Sequence, residues 1–178
     1  MGNLVADAML DRVKNQGVSI AIQNGGGLRA SIDDGEVTMG EVLTVLPFQN
    51  TLATFEATGQ QIVDALENGV SQVEEGAGRF PQVAGLKFTW DASAEPGSRV
   101  QSVEVMEGDT WSAIDPEKVY GVVTNNFMRN GGDGYRMFRD GMNAYDFGPG
   151  LEVVVADYMA AQDGAYQPYT DGRITKAE

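Results

Sequence analysis

Residues 21–35 read AIQNGGGLRASIDDG: an apolar run stops at Asn24, three glycines follow, and an arginine stands at Arg29. The run begins upstream as VSIAIQ (Val18 to Gln23), a short buried strand that leads straight into the glycines. Gly25, Gly27 and Ala30 match the G-x-G-x-x-G/A spacing of dinucleotide-binding folds, and a strand precedes them as that fingerprint requires. A long helix should open at those glycines, yet ASIDDGE turns again within a few residues, so the phosphate-on-helix arrangement is not supported. No Gly-Lys-Ser/Thr occurs, which removes the Walker A loop as well. What remains is a glycine loop at a strand end carrying Asn24 and Arg29, and it has two readings. It is a tight connection that needs positive φ, with Asn24 bonding its own backbone, or its backbone N–H groups and one guanidinium approach an anionic ligand.

Working outward, NLVADAMLDRVKNQG reads as an amphipathic helix with Asn3 as N-cap and Gly17 as its stop. Thr38 to Glu41 (TMGE) and Thr58 to Gln61 (TGQQ) fit the capping-box pattern and predict helices over about 39–46 and 59–70. TLATFEA between them is a strand. GLKFTWD and RVQSVEVME form a hairpin across the turn-rich ASAEPGS, and KVYGVVTN is a further strand. GLEVVVADYMAAQ predicts a late helix, followed by a short strand near Arg173. Helices and strands mix without strict alternation, so the fold class is α+β: a single domain over residues 1–178, with a mixed sheet and packed helices.

Composition narrows the function. Twenty-three glycines in 178 residues is roughly twice ordinary usage, and they cluster. A formal charge of −14 argues against a nucleic-acid polymer as partner, because such binding rests on a basic footprint. A small phosphorylated ligand stays open if a few arginines are placed locally. There is no cysteine, hence no disulfide or thiol nucleophile, and no histidine, the commonest general base and metal ligand. A self-contained metallohydrolase is therefore not expected. No apolar run reaches membrane-spanning length, and the start MGNLVADAML lacks the basic flank of a signal peptide.

The second glycine cluster, NNFMRNGGDGY, repeats the design of the first: a β-rich run, asparagine, then glycines, with an aromatic and an acid nearby. Two such loops invite a shared site. Phe127 beside Asp133 suits a nucleoside, with the ring stacking on a base and the carboxylate accepting from ribose hydroxyls. Each also has a plain structural reading, a core plug and a turn residue. Phe48 in VLPFQNT carries the same pair of readings. The acidic DDGE (Asp33 to Glu36) lacks calcium-loop spacing and reads as a solvated turn, and Trp90 and Trp111 read as core or edge packing.

Taken together, NGGGLRA, VLPFQNT, GRFPQVAG and NNFMRNGGDGY, in that order, resemble the C-terminal domain of the 5'-nucleotidase family, which includes UDP-sugar hydrolases and 2',3'-cyclic nucleotide phosphodiesterases. The resemblance implies divided labour: an N-terminal metallophosphoesterase domain with two divalent metal ions does the chemistry, and the C-terminal domain grips the nucleotide. That implies no catalytic residue, metal or cofactor in this chain, a partner domain within the same polypeptide, and a periplasmic or cell-surface location. Position by position, Phe48 and Phe127 resemble the two rings that sandwich the base, and Asp133 the ribose acceptor. Asn24 resembles the side chain that bonds the nucleoside, Arg29 the phosphate-directed guanidinium, and Gly26 the bare backbone beneath the ligand. A further phosphate-directed arginine that the family carries just before GNL is not in this sequence, so nucleoside and monophosphate are expected to bind about equally. Two other readings accompany this one: a stand-alone nucleoside-binding module, and a domain of a thiosulfohydrolase-like relative that would not need both phenylalanines.

Overall fold

The computed structural model describes residues 1–163 and 165–177. Two nearly continuous apolar runs become its central strands, β1 (Val18–Asn24) and β7 (Val119–Asn125), which lie side by side and parallel. Apolar residues on both faces are what a strand covered on both sides requires. Ile20, Ile22 and Val122 enter one core, while Ala21 and Val123 enter the other.

In chain order the elements are α1 (Gly2–Val13), β1, α2 (Met39–Val45), β2 (Leu52–Thr58), α3 (Gly59–Val70), β3 (Pro81–Ala84), β4 (Leu86–Trp90), β5 (Val100–Glu107), β6 (Thr110–Ala113), β7, the single turn α4 (Asn126–Arg129), β8 (Met142–Tyr145), α5 (Leu151–Ala160) and β9 (Ile174–Lys176). A five-stranded sheet runs β3-β1-β7-β2-β8 and a four-stranded sheet runs β6-β5-β4-β9. Helices α1, α2 and α5 cover one face of the larger sheet through Leu4, Met9, Val42, Leu151 and their neighbours. The other face packs on α3 and the smaller sheet through Phe55, Ile62, Leu66, Phe88 and Val105. The α+β mixed-sheet architecture stands as expected.

Both predicted capping boxes form, at Thr38 with Glu41 and at Thr58 with Gln61, and α3 spans the expected residues. The first helix starts differently: Met1 is its N-cap, and Asn3 lies inside the first turn, where its Nδ2 donates to the Tyr169 carbonyl at 3.0 Å. A tertiary partner at the chain's far end has taken the side chain that local rules assign to capping. Strands β3, β6 and β8 are too short or too polar to carry a period-2 signal, and they form because a neighbouring edge offers hydrogen bonds. The loop reading of NNFMRN gives way to α4, whose first turn is capped by Asn125 accepting from Met128 N at 2.8 Å.

Candidate functional site

Because β1 and β7 are parallel, both glycine clusters emerge from the same edge of the sheet, at the carboxyl ends of their strands. Open α/β sheets place ligands at this edge for the same geometric reason. A cleft of about 460 Å³ opens there, and it is lined by all six residues singled out in the sequence, Asn24, Gly26, Arg29, Phe48, Phe127 and Asp133. Gly27, Asn50 and Gly78 complete the lining.

The first glycine cluster forms a 3-10 turn, Gly25–Gly27, and none of its three residues takes a positive φ. Its glycines answer to close approach instead. Gly25 N and Gly26 N donate to the Phe80 and Gly78 carbonyls at 2.7 and 2.8 Å, prolonging the β1–β3 ladder into the loop. A Cβ on Gly26 would stand 2.7 Å from Gly78 Cα, and one on Gly27 would stand 2.6 Å from Gln23 Nε2. The positive-φ reading of this loop is therefore replaced by backbone against backbone.

In the second cluster Gly131 and Gly134 are left-handed, at φ 87° and 83°, and so is Asp133 at φ 52°. A non-glycine residue in that region is a conformation the surroundings must hold. Asn24 Nδ2 donates to Asp133 Oδ2 at 2.7 Å, and Asn68 Nδ2 on α3 donates to the Asp133 carbonyl at 3.1 Å. Asp133 Oδ1 has no protein hydrogen-bond partner among the described residues, and no cation forms an ion pair with this carboxylate there. One acceptor oxygen on the cleft wall is thus available to a ligand.

Two exposed rings flank the cleft, Phe48 at 58 % and Phe127 at 43 % of their free surface. Phe48 sits in the turn after α2, next to Gln49 at φ 54°. Phe127 rides on α4 with its ring over Gly132, where an added Cβ would fall 2.5 Å from the ring. Leaving two phenyl faces in water stabilises nothing by itself, and each ring leaves apolar surface at the cleft that a flat ligand could cover. Arg29 is exposed and donates to the Gly26 carbonyl at 3.3 Å, with no carboxylate partner among the described residues. The cleft thus has one cation and one anion on its rim and aromatic walls between.

Behind it lies a polar layer that sequence reading did not assign, buried at Gln23 and Asn125 and half-buried at Asn68 and Arg79. Asn125 Nδ2 donates to Gln23 Oε1 at 2.8 Å and to Asn24 Oδ1 at 2.9 Å. Arg79 donates to Asn68 Oδ1 and Ser71 Oγ, and its carbonyl accepts from Tyr135 Oη at 2.6 Å. Burial, with the negative charge of Asp133 added, pushes the Tyr135 phenol far up, so it stays a neutral donor. A glutamine inside an apolar strand and asparagines ending both parallel strands were the available signals; Asn68, an ordinary polar residue on a helix, had none.

The other motifs fall elsewhere. Asp33 and Asp34 line a separate groove of about 820 Å³ between α1, α2 and α5. Trp90 is buried against Phe80, and Trp111 packs under the Lys87 ammonium. The two metal ions that the resemblance implies find no donor set here: among the described residues no three Asp or Glu carboxylates come together. No helix among them is long and apolar enough to cross a membrane.

The chain is similar to known proteins along almost its whole length. The chain is 44 % identical over 177 residues to the trifunctional nucleotide phosphoesterase protein YfkN of Bacillus subtilis (strain 168), covering 98 % of this chain and 12 % of that protein. It is 34 % identical over 188 residues to the 5'-nucleotidase of Homo sapiens, covering 98 % of this chain and 33 % of that one. The crystal structure of a 5'-nucleotidase precursor from Thermus thermophilus superposes with a TM-score of 0.94 at 45 % identity, over 98 % of this chain and 34 % of that one. The chain thus spans about a third or less of the length of these relatives. The family described as 5'-nucleotidase, C-terminal domain, matches residues 1–140, and the chain belongs to that family.

Proposed function

We propose that this chain is the substrate-recognition domain of a metal-dependent 5'-nucleotidase-type phosphohydrolase. It grips the nucleoside part of a nucleotide, while an N-terminal metallophosphoesterase domain of the same polypeptide, holding two divalent metal ions, cuts the phosphate ester. One observation carries the reading: two solvent-facing phenyl rings, a carboxylate with a free oxygen and a lone guanidinium converge on one cleft of about 460 Å³. Phe48 and Phe127 take the base between them, Asp133 accepts from the ribose hydroxyls, and Arg29 faces the phosphate. The guanidinium supplies local attraction against the −14 background. The relatives' greater length leaves room for the catalytic domain, and their names, nucleotide phosphoesterase and 5'-nucleotidase, fit the ligand chemistry proposed for the cleft. In this reading the bond-breaking step falls to that N-terminal domain and ligand binding to this chain. A periplasmic or cell-surface setting accompanies the proposal.

Calorimetric titration of the chain with adenosine and adenosine monophosphate, beside Phe48→Ala and Phe127→Ala, tests it. Each ring is expected to contribute about 1–3 kcal/mol to binding. Both rings are exposed, so the unfolding midpoint is expected to move little. Unchanged affinity in both variants would defeat the base-clamp reading.

A further inference from the structure

Asn125 is fully buried and does not line the cleft, yet it touches both halves of what does. Its Oδ1 accepts from Met128 N at 2.8 Å, capping the turn that carries Phe127. Its Nδ2 donates to Asn24 Oδ1 at 2.9 Å, and Asn24 Nδ2 donates to Asp133 Oδ2 at 2.7 Å. A side-chain amide has one accepting and one donating end, so whatever holds the first decides what the second meets. The direction of this chain is anchored where no flip is allowed, since a backbone N–H only donates. Met128 N–H therefore assigns Asn125 Oδ1, which sends Asn125 Nδ2 to Asn24 Oδ1, which leaves Asn24 Nδ2 for the carboxylate. Gln23 reinforces the order, with Oε1 accepting from Asn125 at 2.8 Å and Nε2 donating to Asn24 Oδ1 at 3.2 Å. Even the glycine at 27 serves it, because a Cβ there would stand 2.6 Å from Gln23 Nε2 and 3.2 Å from Asn24 Oδ1.

We infer that Asn125 is a positioning residue for ribose recognition: through Asn24 it aims and restrains the Asp133 carboxylate, which sits at φ 52° between glycines and needs such restraint. The inference rests on the nucleoside reading proposed above. It assigns Asn24 a holding role toward Asp133, since both ends of its amide are engaged and only 4 % of the residue is exposed. One buried amide thereby sets the base ring and the sugar acceptor together.

The test compares adenosine with 2',3'-dideoxyadenosine, which lacks both hydroxyls, by calorimetry on the 178-residue chain. Asn125→Ser keeps a capping oxygen for Met128 but has no second donor that reaches Asn24. The wild-type chain is expected to prefer adenosine at least tenfold, and the variant to narrow that preference below threefold while binding the dideoxy compound within threefold of wild type. In the free protein, hydrogen exchange of the Asn24 side-chain amide should quicken at least tenfold while the β1 and β7 backbone amides keep their protection. Should the serine variant fail to fold, Asn125→Asp preserves volume and cap. As a carboxylate it only accepts at that position, so Asn24 turns its carbonyl oxygen on Asp133, and the same narrowing is expected at alkaline pH. A variant that loses both ligands in equal proportion, or keeps the wild-type preference, overturns the positioning role and leaves the nucleoside reading standing. A wild-type chain that binds both compounds equally overturns it too. A wild-type chain that binds neither overturns the nucleoside reading and this inference with it.

Discussion

The two glycine loops have nearly the same composition and opposite physics. In Gly25–Gly27 the backbone angles are ones any residue adopts, and glycine is needed because other atoms occupy the space of a Cβ. In Gly131–Gly134 two glycines are needed for their left-handed φ, and the third, Gly132, for the room it leaves the Phe127 ring. The first loop is a rigid floor sewn to the chain before β3. The second is a shaped hook whose conformation is held by side chains reaching from β1 and α3. Glycine enrichment in a sequence thus reports a backbone constraint without saying which kind.

The comparison breaks most visibly at Gly26. Gly26→Val drives a branched side chain into the Gly78 backbone, which cannot rotate away as a side chain can, and it should cost about 2–3 kcal/mol of stability by urea unfolding. Binding should fall with it, because floor and fold are the same hydrogen bonds; a stable variant with normal binding would refute the close-approach account. Gly134→Ala tests the other mechanism. Its φ of 83°, together with displacement of the Asn68 side chain that a new Cβ meets at 2.5 Å and loss of its bond to the Asp133 carbonyl, should cost about 2 kcal/mol in all by urea unfolding.

Gly132→Ala sharpens the contrast within the second loop. Its φ is not left-handed and the obstruction is a mobile ring, so stability should drop by less than about 0.5 kcal/mol. Nucleoside affinity should fall about tenfold, roughly 1.4 kcal/mol, as the ring is pushed off its seat. Equal losses in both measurements would mean that Phe127 is packing rather than platform. The smallest effect is expected at Asp133→Gly, where relief of the φ 52° conformation and loss of the Asn24 bond oppose each other. The net change in stability should lie within about 0.5 kcal/mol by thermal melting, while diol selectivity disappears.

Much of the site was legible because its parts are unusual residues in unusual places. Arg29 follows glycines in an acidic chain, Phe48 stands after a proline and Phe127 beside glycines, and Asp133 lies inside a glycine cluster. The supporting layer was less legible. Gln23 and Asn125 are polar residues in apolar runs, which marks them as paired with something, but the partner of Asn125 is Asn24, 101 residues away. Asn68 and Gly78 are legible only after α3 and the 73–80 loop are seen to face the second cluster.

The sequence alone determined the elements whose information is local: α3 between its capping box and Val70, the apolar central strands, and the glycine breaks that end them. Its charge and the absence of histidine and cysteine also argued, from sequence alone, against a nucleic-acid polymer as partner and against a self-contained metallohydrolase. Only the tertiary structure decided what each glycine is for, which way the buried amides point, and that strands β1 and β7 lie parallel. Those properties depend on atoms brought together from distant positions. Nothing in the local period of a strand records its neighbour, and nothing in a glycine records the backbone that will be pressed against it.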